Sequence, residues 1–257
     1  MWTDNTNRLE AAQRPQGSPT PSLGRRPVAQ TIAESLRVAE RSLPLTRRLL
    51  QAGDAVYRAG DTLQCLYLVN SGLFKTVSLA ADGREQVVSL HFKGDWLGFD
   101  GIAHGRHGCG AVAMDVGEVW CIRYTALMQA CAADLQLMAM LNAAMSRQLM
   151  FSQESLLSVC TLPADARVAE FLSHWAQALA DRGLRHDQIT LRMTRAEIGS
   201  HLGMKLETVS RALSRLVREG LISFAANRRD LCIHDVDALA AFVRGNVNPP
   251  EGVAALH

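Results

Sequence analysis

Residues 194–233 constrain the fold most, because glycines divide them into two helix-length segments and a hairpin. Thr194 followed by Glu197 is a capping-box signature that starts a helix, and Gly203 ends it. Gly220 ends a second segment, and residues 221–233 are typical of a hairpin with a basic tip. Apolar side chains recur along the second segment at steps of three and four: Leu206, Val209, Leu213, Leu216 and Val217. This order predicts a helix-turn-helix followed by a β-wing.

The polar face of the second helix carries four cations and one carboxylate. Its members are Lys205, Glu207, Ser210, Arg211, Arg215 and Arg218. In a helix-turn-helix the second helix enters the DNA major groove with its N-terminal residues at base edges. We therefore predict that Glu207, Ser210 and Arg211 read bases, since a carboxylate accepts from cytosine and a guanidinium forks onto guanine. The predicted phosphate contacts are Thr194, Lys205, Thr208 and Arg215.

Two segments carry a family resemblance. Residues 193–211, with the pattern MTRxxIGxxLGxxxETVSR, closely resemble the fumarate-nitrate-reduction branch of the CRP/FNR superfamily of bacterial transcription regulators. Residues 94–100, GDWLGFD, are similar to a second stretch of that branch, and the resemblance covers roughly residues 45–245. Family members read an inverted repeat of TTGAT half-sites through the Glu, Ser and Arg of this pattern. The resemblance thus implies that preference for Glu207, Ser210 and Arg211.

Glycine turns recur at short intervals between residues 52 and 124. Short strands between such turns predict a β-roll or jelly roll, which is the effector-sensing domain in the superfamily. The predicted fold class is α+β, with a cyclic-nucleotide-binding-like β-roll, a long dimerisation helix and a C-terminal winged helix-turn-helix. The predicted divisions are a disordered tail at 1–30, the roll at 31–125, the dimer helix at 126–161, the DNA-binding domain at 162–245 and a flexible tail at 246–257. Within them, residues 31–50 are expected to form one or two short helices.

Residues 126–160 contain neither glycine nor proline, which permits one helix of about nine turns. Residues on one stripe alternate at steps of four and three: Met138, Asn142, Met145, Leu149, Ser152, Leu156 and Val159. This stripe predicts a coiled-coil seam and a homodimer, as the family resemblance also implies. The alternative is a helix that packs only on its own roll. Because the seam holds no formal charge, we expect dimerisation not to depend on an effector.

Net charge, cysteine spacing and the motifs that are absent limit the classes of protein to which this chain can belong. The net charge of +2 means that nucleic-acid binding requires a local basic patch. The 6 cysteines form no Cys-x-x-Cys pair, which suits a reducing cytosol, and no long apolar run predicts a membrane span or secretory signal. No phosphate loop, nucleophile elbow or metal-spaced His/Glu pair indicates an enzyme. The expected localisation is cytoplasmic and the main partner is double-stranded DNA.

The resemblance also limits what the roll can sense. Relatives that bind cyclic AMP hold its phosphate with a Glu and an Arg, where this chain has Phe99 and His107. Oxygen-sensing relatives hold an iron–sulfur cluster with four cysteines, but none precedes Cys65 here and the inner position falls on Trp120. Cys121 follows Trp120 and would face the other side of a strand. We therefore expect neither a cyclic nucleotide nor a four-cysteine cluster, and predict no cofactor.

Three alternatives remain open at this point. A haem could use His104, His107 or Cys109 as its axial ligand, and Cys160 or Cys232 could serve a thiol-based redox response. In the third, a ligand-binding module would use its helix-turn-helix for protein contacts. The resemblance further implies that the turn at residues 80–85 contacts RNA polymerase, which favours activation over pure repression.

Overall fold

The computed structural model describes residues 28–79, 83–227 and 229–246. Residues 1–27 and 247–257 of the two predicted tails lie outside the described residues, as do residues 80–82 of the predicted polymerase-contacting turn. Helix α1 spans Val28–Ser42, so the last three residues of the predicted N-terminal tail are helical.

Eight antiparallel strands form the N-terminal domain and confirm the predicted β-roll. They are β1 (Leu45–Leu50), β2 (Ala55–Tyr57), β3 (Cys65–Ser71), β4 (Phe74–Leu79), β5 (Glu85–His91), β6 (Trp96–Leu97), β7 (Gly110–Ala113) and β8 (Gly117–Arg123). One sheet has the order β1-β8-β3-β6 and the other has the order β2-β7-β4-β5. The expectation of one or two short helices within residues 31–50 agrees with α1 as far as Ser42, but it is wrong for residues 45–50, which pair with β8 along their whole length.

Period-two alternation gives the first sheet two different faces. In β3, Leu66 and Leu68 are buried beneath helices, whereas Tyr67 packs against the core between the two sheets. In β8, Trp120 belongs to the helix-covered core. Cys121 pairs with Tyr67 across the ladder and therefore lies on the inner face, as the strand period predicted.

The predicted single helix over residues 126–160 is wrong, because the chain divides at Asp134. Helix α2 spans Tyr124–Ala133 and helix α3 spans Leu135–Thr161. Asp134 has an extended backbone, and its carboxylate accepts hydrogen bonds from the N–H groups of Gln136 and Leu137. An N-cap satisfies the first donors of a new helix and so favours a break even without glycine or proline.

The C-terminal domain contains α4 (Ala164–Ala180), β9 (Gln188–Thr190), α5 (Arg195–Leu202), α6 (Leu206–Arg218), β10 (Ile222–Phe224), β11 (Asp230–Ile233) and α7 (Val236–Gly245). Its sheet has the order β10-β11-β9. In the roll, Phe99–Gly101 form a short 3-10 helix. Helices α5 and α6 with the β10–β11 hairpin confirm the predicted winged helix-turn-helix fold.

The two domains are packed against each other through β5 and α5. Val87 of β5 and Leu73 are buried in the same hydrophobic cluster as the core of the C-terminal domain. Ser200 Oγ accepts from the Val87 N–H at 3.1 Å and donates to the Glu85 carbonyl at 3.3 Å. Lys75 of β4 forms an ion pair with Glu197. The roll therefore contacts the first helix of the helix-turn-helix directly.

A second group of ion pairs extends this interface. Arg182, which follows α4, donates to the Asp95 carboxylate at 2.8 Å and to the Lys93 carbonyl at 2.7 Å. Arg192 pairs with Asp115 at 2.7 Å. Apolar burial and charged contacts thus both resist separation of the domains.

His91 makes folding stability depend on pH. Burial in β5 lowers the pKa of His91 from 6.5 to about 4, and its Nε2 lies 3.4 Å from Thr76 Oγ1. The unfolded chain takes up this proton as pH falls below about 6.5, so stability is lost between about pH 6.5 and pH 4.

We expect His91 to account for about 2 kcal/mol of stability lost between pH 7 and pH 5. Urea unfolding of the wild type and of His91→Gln, at one protein concentration, measures it. The variant should lose less stability than the wild type, whereas a His104→Gln control at an exposed position should behave like the wild type. Equal losses in the wild type and His91→Gln would contradict the expectation.

Candidate nucleic-acid interface

The turn between α5 and α6 depends on two glycines. Gly199 is buried, and a Cβ there would lie 2.6 Å from the Met204 carbonyl oxygen. The Met204 N–H donates to the Gly199 carbonyl at 2.8 Å. Gly203 has a left-handed backbone with φ +64 at the C-cap of α5. These features set how closely the two helices approach each other.

Thr194 and Glu197 form the predicted capping box at the start of α5. The Glu197 N–H donates to Thr194 Oγ1 at 3.1 Å, and the Thr194 N–H donates to the Glu197 carboxylate at 2.7 Å. Burial alone would raise the pKa of Glu197, but hydrogen bonds from Lys75 and Thr194 bring this pKa below its usual value. Glu197 is therefore ionised at neutral pH and joins the cap to the roll.

The three predicted base readers lie on the first two turns of α6. Glu207 and Arg211 are exposed and Ser210 is half-buried. Their spacing of three and four residues places them on one helix face. Arg211 Nε lies 3.4 Å from the Glu207 carbonyl oxygen, so the guanidinium rests along the helix surface. The opposite face of α6 is buried in the core of the domain through Val209, Ala212, Leu213 and Leu216.

The four predicted phosphate contacts differ in their surroundings. Lys205 is exposed at the N-cap of α6, and Thr208 is half-buried in its first turn. Thr194 Oγ1 already donates to Glu197 at 2.8 Å. Arg215 forms an ion pair with Asp165 of α4 at 2.6 Å. The side chains of Thr194 and Arg215 are thus engaged within the chain, and the phosphate roles of all four residues stay predictions.

The wing lies beside the first helix of the motif. The Arg195 guanidinium lies 4.9 Å from the centre of the Phe224 ring in β10. Asp230 of β11 accepts hydrogen bonds from Thr190 and Asn227, which closes the hairpin onto β9. Arg228 of the predicted basic tip lies outside the described residues.

The predicted seam residues fall into two groups along α3. Met138 and Met145 pack partly against the roll core. Asn142, Leu149, Ser152, Leu156 and Val159 are exposed in the single chain. Leu149 is 61% and Leu156 is 66% exposed, although both are large and apolar. The C-terminal half of α3 therefore presents an uncovered apolar stripe.

His107, one of the candidate haem ligands, is buried inside the roll. Its ring stacks on Tyr57 with 3.8 Å between centroids and packs against Gly98 and Gly101. Burial lowers the pKa of His107, and Asp100 partly opposes that shift. The buried Nδ1 of His107 and the phenol oxygen of Tyr57 have no hydrogen-bond partner among the described residues. His104 is exposed and Cys109 is half-buried.

A shallow groove of about 340 Å³ lies beside Trp120, the position that the resemblance equates with the inner cluster cysteine. It is lined by Ala33, Leu36, Arg37, Glu40, Arg47, Asn70, Lys93 and Trp120, none of which is a thiol. Across residues 28–79, 83–227 and 229–246, no three His, Cys, Asp or Glu side chains gather as a metal site.

Sequence reasoning missed Lys75, Gln86 and Arg182 as residues that join the roll to the C-terminal domain. Gln86 Nε2 donates to the Ser200 carbonyl, alongside the Lys75 and Arg182 contacts. No local pattern marks these residues, because their partners lie about a hundred positions away in the chain. Ser200 also sits inside the predicted motif without any signal that its hydroxyl faces the roll.

Comparison with known proteins covers both domains. Residues 47–134 match the family model for a cyclic nucleotide-binding domain, and residues 166–242 match that for a Crp-like helix-turn-helix domain.

Within the part of the chain that the structure describes, no helix is both long and apolar enough to cross a lipid bilayer.

Individual relatives cover most of the chain. Electron transport regulator A of Shewanella oneidensis is 33% identical over 176 residues, which is 68% of this chain and 70% of that protein. The fumarate and nitrate reduction regulatory protein of Escherichia coli K12 is 32% identical over 194 residues, 76% of this chain and 77% of that protein. The solved structure of FixK2 from Bradyrhizobium japonicum matches with a TM-score of 0.69 and 27% identity, over 83% of this chain and 100% of that one.

Replacing Gly199 with alanine tests the tight turn. We expect Gly199→Ala to destabilise the C-terminal domain by about 1–3 kcal/mol, because its Cβ collides with backbone rather than with a movable side chain. Gly245→Ala is the matched control, since a Cβ there meets nothing within 4 Å. Thermal unfolding measures both variants, and equal melting temperatures would contradict the assigned role of Gly199.

Proposed function

The chain belongs to the CRP/FNR family of transcription regulators, and we propose that it binds inverted repeats of TTGAT half-sites as a homodimer. One α6 helix would enter the major groove at each half-site. The observation that carries the proposal is the placement of Glu207, Ser210 and Arg211 on one accessible face at the start of α6. A carboxylate and a guanidinium on that face provide one acceptor and one forked donor for base edges.

The homodimer is supported by the apolar stripe of α3. In water a stripe that includes Leu149 and Leu156 favours association, because burying such side chains removes apolar surface from solvent. The stripe continues past the part of α3 that packs on the roll, where Leu137, Leu141 and Ala144 are buried. A second copy of α3 would cover it and place two reading helices side by side.

Control without a cyclic nucleotide is supported by the contacts of Asp100. Its carboxylate accepts the N–H groups of Gly108 and Cys109 at 2.7 and 2.9 Å. Phe99 and His107 offer neither the carboxylate nor the guanidinium that hold a cyclic phosphate in relatives. The Asp100 carboxylate thus occupies two backbone N–H donors next to His107, which stands where relatives have the arginine.

Contact with RNA polymerase is proposed at the turn between β4 and β5, on the family resemblance alone. Gly83 has φ +79 and is exposed. The strand that follows this turn holds α5 through Glu85 and Val87. A surface that meets polymerase and contacts the reading domain suits an activator.

The first test measures the affinity of air-purified, ligand-free protein for a TTGAT inverted-repeat duplex and for a scrambled duplex. Salt is held fixed because phosphate contacts make affinity salt-dependent. Selective binding supports the proposed site and effector-independent competence. A folded dimer that binds both duplexes equally would contradict the proposed specificity of the free protein.

Two substitutions separate base reading from phosphate binding. We expect Arg211→Ala to cost about 1–3 kcal/mol on the TTGAT duplex and to relax one base position. Lys205→Ala should weaken binding to both duplexes alike and reduce the salt slope by about 1. Fluorescence anisotropy at several salt concentrations provides the comparison. Equal losses of Arg211→Ala on specific and scrambled DNA would contradict its role in reading a base.

The apolar seam along α3 leads to a separate prediction about the oligomeric state of the protein. The wild type should sediment as a dimer at micromolar concentration, and Leu156→Asp should shift it towards monomer, because a carboxylate is costly to bury at a helix interface. Leu184→Asp is the matched control, since Leu184 is also exposed and lies outside α3. A wild-type monomer, or a fully dimeric Leu156→Asp protein, would count against the seam.

A further inference from the structure

The first turn of α4 contacts both helices of the helix-turn-helix. Only Leu162 and Pro163 separate this turn from the end of α3. Asp165 and Arg167 lie on it, and each side chain contacts a different helix of the motif. The start of α4 is therefore the place at which the long helix meets the reading unit.

Arg167 holds the end of α5. Its Nη1 donates to the Leu202 carbonyl at 3.0 Å, directly before the turn at Gly203. The last carbonyls of a helix have no partner within the helix and carry partial negative charge, so a guanidinium is favourable there. The Nε of Arg167 is buried without a hydrogen-bond partner among the described residues. A buried unpaired donor is costly, which indicates that the placement of this guanidinium outweighs that cost.

Asp165 holds α6 itself. Its carboxylate pairs with Nη1 of Arg215 at 2.6 Å. The Arg215 guanidinium also lies 3.8 Å from the Glu219 carboxylate and 5.9 Å from the centre of the Phe242 ring in α7. Arg215 follows Arg211 by four residues, about one helical turn, so the ion pair holds α6 next to its predicted base readers.

The apolar core beneath these contacts specifies orientation less sharply. Val168 and Leu172 of α4 are buried in the same cluster as Val209 and Leu213 of α6. Burial of apolar surface stabilises this packing but is not directional, whereas a hydrogen bond depends on distance and angle. The two polar contacts therefore define an orientation that core packing leaves less determined.

We propose that Asp165 and Arg167 are positioning residues for base reading, which act through contacts within the chain and fix the angle of α6 to the dimer helix. Their role rests on the proposed base reading by α6. Two reading helices must match the spacing of two half-sites, so an error in this angle weakens binding to the correctly spaced repeat most. In this role Arg215 bridges α4 and α6 in place of the phosphate contact expected for it.

Asp165→Asn distinguishes the two roles of Arg215 by the sign of its effect. With Arg215 as a bridge, affinity for the TTGAT inverted repeat should fall by about 2- to 30-fold and the salt slope should stay the same. An Arg215 that binds phosphate would instead be released, and every duplex would bind more tightly with a steeper salt dependence. The variant should fold, because an ion pair this exposed contributes little to stability.

Glu170→Gln is the matched control for Asp165→Asn. It removes one carboxylate from the same helix but takes part in neither contact, so it corrects for the change in net charge. Fluorescence anisotropy at several salt concentrations measures both variants. Tighter or unaltered binding by Asp165→Asn, relative to Glu170→Gln, would overturn the proposal.

Arg167→Ala tests positioning through the spacing of the half-sites. We expect it to narrow the difference in affinity between the TTGAT inverted repeat and a duplex with one base pair inserted between the half-sites, by about 2- to 30-fold. Arg167→Lys should restore most of that difference, because an ammonium can still donate to the Leu202 carbonyl. A loss of stability alone would weaken binding to both duplexes alike, and a wild-type ratio in Arg167→Ala would overturn the positioning role.

A third measurement needs no DNA and so does not depend on base reading. Hydrogen–deuterium exchange of free, full-length protein should be faster over residues 199–206 in Arg167→Ala than in the wild type, and should return towards wild type in Arg167→Lys. Residues 230–233 serve as the internal control. Unchanged exchange over residues 199–206 in Arg167→Ala would overturn the role of Arg167.

The two levels of the proposal fail in different ways. Wild-type protein that binds the TTGAT and scrambled duplexes equally would contradict base reading itself. A selective wild type whose selectivity and spacing preference survive in Asp165→Asn and Arg167→Ala would overturn only the positioning role.

Discussion

The close approach of α5 to α6 at Gly199 is the constraint on which the reading surface depends. A buried backbone contact at this point leaves no room for a side chain, and Gly203 then reverses the chain with a left-handed backbone. This geometry buries Ile198, Leu202 and Val209 in one core. The same packing turns the opposite face of α6 to solvent with Glu207, Ser210 and Arg211 on it. The proposed base-reading face therefore rests on a steric feature of the turn between the two helices.

The second organising contact joins the roll to this motif. Glu197 caps α5 and pairs with Lys75 of the roll, so one carboxylate serves the helix and the interface together. Val87 adds apolar burial and a backbone hydrogen bond to Ser200 at the same place. A change in β4 or β5 would thus act on α5 directly, because the ion pair and the hydrogen bonds both depend on short distances. The chain passes from α3 to α4 through Leu162 and Pro163, and these non-covalent contacts add to that covalent link in orienting the two domains.

Local patterns predicted the elements well wherever glycines or caps mark their ends. The capping box at Thr194, the turn at Gly203 and the strands of the roll were all found in this way. The break at Asp134 was not predicted, because this segment contains neither glycine nor proline and the break depends on an N-cap instead. Residues 45–50 were expected to be helical, but pairing with β8 determines their strand conformation. The sequence marked His107 only as a candidate haem ligand, whereas in the fold its ring packs inside the roll against Gly98 and Gly101.

Short-range periodicity and glycines at fixed spacings were enough to predict the two-domain plan, the helix-turn-helix and the residues on the face of α6. The two-residue period of a strand likewise predicted that Cys121 and Trp120 face opposite sides. The pairing of Lys75 with Glu197 and of Arg215 with Asp165 follows from the tertiary structure alone. These pairs join residues that are 50 or more positions apart. Their contact depends on how sheets and helices pack, which no local pattern specifies.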